Sequence, residues 1–425
     1  MASTYNPGEV IITQFDLVSL DGNARQSIIP QVVSFDIYES VMMPMLYCEI
    51  IINDSVNLIE SFPIIGEEFV EVEFKNAELN SVQSFRFKTA SVTNKFAAGG
   101  QGNKLMYVIQ CASEETLWNS TKYIQRRYSD GNPYSMVSDI LQKDLKSTKR
   151  LNVDDTTGRG TTQITISQLT GLQAIDMIRK KSVSKKYKSS SYVFFENRNG
   201  FNFTTLEHLI LTGKVAIGDK IFFYDSAVNT DVSNINVRNI LAYQQVNHTN
   251  VNDLLQSGGL SNRSISLDLK TGAVNKIDFN FARNIDKFAQ TDPDNVSKMK
   301  TNSFMNSYGA KEGASAVLNM LIPKSLNNGD SFVEESSGFL QSFVNQLTQN
   351  IVRVLVYGDA ALTVGNVIKL KLPTISGATA KPDDSKLSSG NYLVTKCRHM
   401  FVVRDKVMYK MALECVKPSF GESDV

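Results

Sequence analysis

Val70-Glu71-Val72-Glu73-Phe74, directly after Phe69, alternates apolar and acidic residues without a break. A period of two puts one set of side chains in a core and the other in water, which is the signature of a half-buried β-strand. Phe85-Arg86-Phe87-Lys88 repeats the pattern a few residues later. Working outward, apolar runs at 10–18, 32–38, 46–52 and 105–111 read as further strands, and Asp21-Gly22 marks a tight turn after the first of them. Short strands separated by turn signals predict an antiparallel barrel or sandwich over the first hundred residues.

The middle of the chain changes period. Asn132-Pro133 has the form of an N-cap followed by proline at the first helical position, and Met136, Val137, Ile140, Leu141 and Leu145 recur at helical spacing. Thr170-Gly171-Leu172-Gln173 fits a capping box opening a second helix, with Leu172, Ile175 and Ile178 on one face. Runs at 192–196 and 201–205 flank Asn197-Arg198-Asn199-Gly200 and read as a hairpin, which makes 116–206 a small α+β unit. Strands are expected again at 220–224, 235–243, 264–269 and 274–281. The polar stretch 284–335 carries one short helix candidate at 314–321, and Phe339, Phe343, Leu347 and Ile351 form a helical stripe. Four strands, at 353–357, 367–372, 391–398 and 406–415, close the chain.

Composition bounds the function. At 425 residues the chain is long enough for roughly two to four domains. Its 44 basic and 43 acidic residues lack the basic excess of a dedicated nucleic-acid binder. Cys48, Cys111, Cys397 and Cys415 are far apart, form no CxxC and lie in apolar runs. They read as small buried hydrophobes of a chain that folds in a reducing cytosol. No secretory leader is expected from residues 1–7, and the most apolar stretch, 41–52, is broken by Pro44 and Glu49 and is too short to span a bilayer. No membrane anchor is expected.

Two stretches carry a family resemblance. Gly171-Leu172-Gln173-Ala174-Ile175-Asp176, then Tyr192-Val193-Phe194-Phe195-Glu196 and Gly200-Phe201-Asn202-Phe203-Thr204-Thr205-Leu206-Glu207, make up one. The other is Val356-Tyr357-Gly358-Asp359, Val364-Gly365-Asn366-Val367-Ile368, Leu372-Pro373 and Ser389-Gly390-Asn391-Tyr392-Leu393-Val394, ending at His399. This layout resembles the central hub proteins of contractile phage tails: the T-even baseplate hub, the late-control D proteins and the N-terminal half of type VI secretion spike proteins.

The resemblance implies a mixed, β-rich α+β chain with two antiparallel, tail-tube-like β-barrels. The first barrel would comprise 1–115 with 207–245, and the second 246–283 with 352–425. The small α+β domain occupies 116–206 and a partly helical insertion 284–351. It implies a homotrimer in the virion baseplate, assembled in the host cytoplasm, that adapts a sixfold tail tube to a threefold spike, since two barrels per chain double the docking surfaces of three copies. Expected partners are the central spike, the tail tube or tube-initiator proteins, the tape-measure protein and the baseplate wedges, with DNA in transient passage.

No catalytic residue, cofactor or metal is expected. No GxSxG elbow, P-loop or strand-linked GxGxxG occurs, and Gly99-Gly100-Gln101-Gly102 reads as a hairpin loop. His208, His248 and His399 are widely separated and read as structural. Glu67 and Glu68, as neighbours on a strand, face opposite sides. Cys111 and Cys397 read as core residues without an activating partner nearby in sequence.

The sharpest charge feature is Arg179, Lys180, Lys181, Lys185, Lys186 and Lys188. It could line a lumen or meet an acidic partner, but a charge run at a helix end reads first as solvated surface suited to the helix dipole. Met42, Met43 and Met45 form a methionine-rich strand start compatible with a subunit contact or with core packing. The competing readings are a tail-associated cell-wall hydrolase and a carbohydrate-binding module on a β scaffold. The hydrolase lacks convergent motifs, and the module would need aromatic platforms, whereas the single Trp118 falls in a helical segment.

Overall fold

The computed structural model describes residues 8–76, 82–97, 104–129, 131–154, 163–218, 220–224, 237–248, 250–268, 271–284, 287–292, 318–323, 333–374 and 384–418. The glycine loop at 99–102 and most of 284–335 lie outside them. In chain order the first strands are β1 (Glu9–Val18), β2 (Arg25–Ser27), β3 (Val32–Ser40), β4 (Tyr47–Asp54), β5 (Phe69–Asn76), β6 (Val82–Ala97) and β7 (Leu105–Ser113). The middle holds β8 (Tyr123–Tyr128), β9 (Leu151–Val153), β10 (Ile164–Thr170), β11 (Tyr192–Asn197), β12 (Gly200–Thr205), β13 (Ile221–Phe223) and β14 (Ile240–Asn247). The remainder are β15 (Ser261–Leu267), β16 (Val274–Asn280), β17 (Leu318–Pro323), β18 (Asn350–Tyr357), β19 (Val367–Lys371), β20 (Gly390–Val403) and β21 (Val407–Lys417).

Thirteen of these strands join in one sheet. Its ladders close a circuit of antiparallel pairs: β1 with β5, β5 with β6, β6 with β7, β7 with β4, β4 with β3, β3 with β20, β20 with β21, and β21 back to β1. A second circuit shares β20 and β21. It runs β13–β19–β20–β21–β18–β14 and returns through the bridge Phe223↔Asn239. The long β20 serves both, pairing with β19 through 390–393 and with β3 through 396–402.

This pairing corrects the expected grouping. Residues 207–245 were assigned to the first barrel, yet β13 and β14 take their ladder partners from β19 and β18. The reason is strand length: β20 and β21 are 14 and 11 residues long, enough to be ladder members on two sides at once. Residues 261–280 were assigned to the second barrel, but β15 and β16 form a separate three-stranded sheet with β17.

β17 itself replaces the helix expected at 314–321, of which 314–317 lie outside the described residues; an apolar run that short has no decisive period. The helical stripe ends at Leu347, and Ile351 belongs to β18. Helix Val333–Leu347 packs on the small sheet through Phe339 and Phe343, which join Phe279 and Phe288 in an aromatic cluster. A Cβ on Gly338 would stand 2.6 Å from Asn262 Oδ1 and 2.9 Å from Phe279 Cβ, so only glycine allows this approach.

Aromatic residues fill the first circuit, among them Phe74, which alternation predicted to face inward. Phe35 stacks on Phe401 at 4.2 Å, Phe401 on Tyr409 at 4.4 Å, and Phe74 meets Phe401 at 4.7 Å. Four strands are thereby tied together, each such side chain contributing about 1.5–3 kcal/mol by burial. Tyr409 also explains Gly358, whose Cβ would sit 1.9 Å from the tyrosine ring.

The α+β unit has its own core. Thr170 accepts from Gln173 N while Gln173 Oε1 accepts from Thr170 N, completing the capping box of helix Gly171–Lys181. Ile175 and Ile178 of that helix meet Met136, Val137, Ile140, Leu141, Phe201 and Phe203. β11 and β12 form the expected hairpin, and β9 adds in parallel to β12.

Candidate functional site

One residue from each of the two sets singled out in the sequence, Met42 and Arg179, lines a common cleft. The turn between β3 and β4 carries Met42 and Met43, 61% and 38% exposed, whereas Met45 is buried in the core of the α+β unit. Of the two readings left open for these methionines, Met45 takes the core one, clustered with Ala174, Ile175 and Ile178 of helix Gly171–Lys181. Met42 and Pro44 line a cleft of about 250 Å³ with Leu172, Ile175, Arg179 and Phe194.

Arg179 marks the basic end of this cleft, but it is not a free charge. Its guanidinium donates to Asp176 Oδ1 at 2.6 Å and to the Tyr192 carbonyl at 2.9 Å, and Lys180 Nζ lies 2.7 Å from Asp176 Oδ2. Asp176 is held below the usual carboxylate range against the cost of burial by these two partners. Lys181 ends the helix. Lys185, Lys186 and Lys188 follow on an exposed turn, with the Lys186 ammonium 4.9 Å from the Tyr187 ring centre.

A second constellation escaped the sequence. Cys397 and His399 sit two apart on β20 and share a face, and Cys397 Sγ lies 3.3 Å from His399 Nε2. His399 Nε2 is 3.6 Å from Glu39 Oε1, and His399 Nδ1 is 2.7 Å from the Tyr409 hydroxyl. Thiol, imidazole and carboxylate lie together, but thiol and carboxylate both approach Nε2 while Nδ1 faces the Tyr409 hydroxyl, so no nucleophile–base–orienter relay runs through the ring. The environment also opposes that chemistry. Cys397 is 2% exposed, and burial pushes its thiol well above the ordinary value, so the reactive thiolate is disfavoured.

Glu39 is engaged elsewhere: it accepts from Thr363 Oγ1 at 2.5 Å, Val364 N at 3.1 Å and Arg198 N at 3.3 Å. These bonds join β3, the β11–β12 turn and the 359–366 loop, making the chain a structural junction. The only sequence signal was the spacing of Cys397 and His399, because Glu39 is hundreds of residues away.

Glu67 and Glu68 precede β5 and do not lie on a strand as expected, yet their environments differ. Glu67 is exposed, while Glu68 is buried and accepts from Ile65 N and Gly66 N. Among the described residues no group of three or more His, Cys, Asp or Glu is placed to hold a metal, and no helix is long and apolar enough to cross a membrane.

Glu207, at the start of helix Leu206–Val215, is buried with its Oε2 accepting from Ser191, while Oε1 has no hydrogen-bond partner among the described residues. Burial pushes its carboxyl up, with Asp154 adding to the shift. A raised folded value means that the stability associated with the protonated group is present at acidic pH and is lost as pH rises through that value. Glu207→Gln is therefore expected to stabilise the chain by about 1 kcal/mol at pH near 8, the gain shrinking toward pH 4. Thermal melts at both pH values check this, and a variant that is less stable at the higher pH would refute the assignment.

No family model matches the chain, and no curated protein sequence does. Solved structures do. A 43 kDa tail protein of prophage MuSo2 from Shewanella oneidensis aligns with a TM-score of 0.56 at 9% identity, over 95% of this chain and 98% of that one. A tail protein from Neisseria meningitidis MC58 aligns with a TM-score of 0.56 at 9% identity, over 95% and 96%. Matches of this extent take in both circuits and the α+β unit together, so the chain shares its fold, nearly end to end, with phage tail proteins.

Proposed function

We propose that this chain is the structural central hub of a contractile phage-tail baseplate, a homotrimeric adaptor between the sixfold tail tube and the threefold spike. The observation that carries the reading is the pair of strand circuits sharing β20 and β21. Read as two barrels, regrouped as 9–113 and as 221–247 with 350–371, around a common 390–417, they offer two tube-like surfaces per chain. Three chains around one axis then offer six, and the spike meets the threefold side.

Likeness of fold to phage tail proteins supports placing the chain in the virion. Spike, tube or tube-initiator, tape-measure and wedge proteins are its partners in this reading, and DNA passes through the ring. The role is mechanical: the Cys397–His399–Glu39 row is used as a junction and not as a hydrolytic centre.

The purified protein is expected to run in light scattering as a species of three times 47.2 kDa. A monomer that persists at high concentration would overturn the ring reading.

A further inference from the structure

An unpaired strand edge invites another chain, and several edges of this molecule are guarded against it. β2, β9 and β13 are three residues long, β16 carries Lys276 and Asp278, β8 carries Arg126 and Arg127, and β17 ends on Pro323. Short length, charge and proline each deny pairing to a passing strand.

β14 has none of these guards. It ends the path of the thirteen-stranded sheet and pairs with β18 on one side. Its eight residues, 240–247, include no charge, proline or glycine. The bridge Phe223↔Asn239 closes the second circuit one residue before β14 begins, so among the described residues nothing pairs with the outer edge of 240–247. A strand in a closed barrel hides every second side chain, yet Ala242, Tyr243 and Gln244 are exposed in succession and Val246 is 42% exposed. Both faces of β14 are therefore wet along with one edge.

We infer that the outer edge of β14 takes a strand from a second copy of this chain, which completes the open side of the second circuit. An edge is filled through backbone N–H and C=O groups, so its occupant is an extended strand. With no charge on β14, there is no ion pair by which an acidic or basic partner would be chosen. The chain itself carries a donor. β6 runs to Ala97, whereas its ladder with β5 spans 82–88, so among the described residues 91–97 is paired on the β7 side alone, and Phe96 is 55% exposed. Two different open edges on one chain are what a head-to-tail contact requires, because β14 against β14 would stop at two copies. The number of copies rests on the hub reading, whereas the open edge is a property of one chain.

Hydrogen exchange tests the contact on the parent protein. Amides of 240–247 and 91–97 are expected to exchange at least about tenfold more slowly in the assembled species than after dilution to monomer. Ala242→Lys/Val246→Lys, at two exposed positions, gives β14 the charge of a guarded edge. It is expected to raise the concentration needed for assembly at least about tenfold, with the melting profile of the monomer unchanged. Equal exchange in both species would overturn the pairing, and so would slow exchange that persists in the monomer, since the edge would then be covered within one chain. A trimer unaffected by the double variant overturns the pairing and leaves the hub reading standing. Loss of a dimer in place of a trimer upholds β14 as the contact between copies and overturns the ring, and a parent that stays monomeric overturns both.

Discussion

Lys417→Met is expected to lower the stability of the chain by about 3–5 kcal/mol, read as a large fall in the urea or thermal unfolding midpoint. Lys417 Nζ lies 2.6 Å from Asp292 Oδ2, and both side chains are fully buried, at 0% exposure. The ammonium also donates to the Ser389 carbonyl at 3.0 Å and stands 5.4 Å from the centre of the Tyr392 ring. Asp292 accepts from Asn391 N at 2.9 Å and from Asn391 Nδ2 at 2.8 Å.

Such a pair is held by geometry good enough to offset desolvation, and removing one member leaves the other charge buried and uncompensated. Methionine keeps most of the stem volume of lysine, so the loss isolates the charge. Neutralising the partner as well, in Lys417→Met/Asp292→Asn, should recover part of it. A single variant within about 1 kcal/mol of the parent, or a double variant less stable than the single, would contradict this account. The contact matters to the architecture because 288–292 is a buried segment bound to the strands that both circuits share.

What could be read in the sequence was local. The strands from 10 to 111 announced themselves through alternation and turn residues, because one face of each is wet. Helix Gly171–Lys181 did so through its capping box, with both reciprocal bonds present. Ladder order was beyond reach: nothing in 390–417 says that these strands pair on two sides, since register depends on partners far away in the chain. The apolar run around 318–323 is short enough to suit either period, and pairing with β15 decided it. Met45 illustrates the same limit, because its burial depends on a helix more than a hundred residues later. Of the site, the basic run and the exposed methionines were visible as composition, whereas the Cys397–His399–Glu39 row needed residues far apart in the chain brought together by the fold.

Lys149→Met is expected to cost about 2–4 kcal/mol and to loosen the α+β unit from the first circuit. Lys149 Nζ lies 2.8 Å from Glu115 Oε2 and 2.6 Å from Glu196 Oε1, and both carboxylates are buried. Glu196 also reaches the first circuit, accepting from Leu46 N at 3.1 Å and from Ser113 Oγ. The two acids raise the Lys149 pKa against the effect of burial, so the ammonium stays charged. One cation cannot neutralise two carboxylates, and burial together with Glu115 pushes the Glu196 carboxyl up.

This asymmetry gives the prediction its form. Removing Lys149 leaves two buried acids facing each other, whereas Glu115→Gln removes the excess charge and should cost far less. The Lys149 side chain is a third exposed, at 33%, and solvent screening sets the loss below that of a fully buried pair. Limited proteolysis provides the second readout: in Lys149→Met, cleavage within 116–206 should begin at milder denaturant than cleavage of the strands that form the circuits. Equal costs for Lys149→Met and Glu115→Gln, or simultaneous release of both regions, would show that this lysine does not anchor the unit.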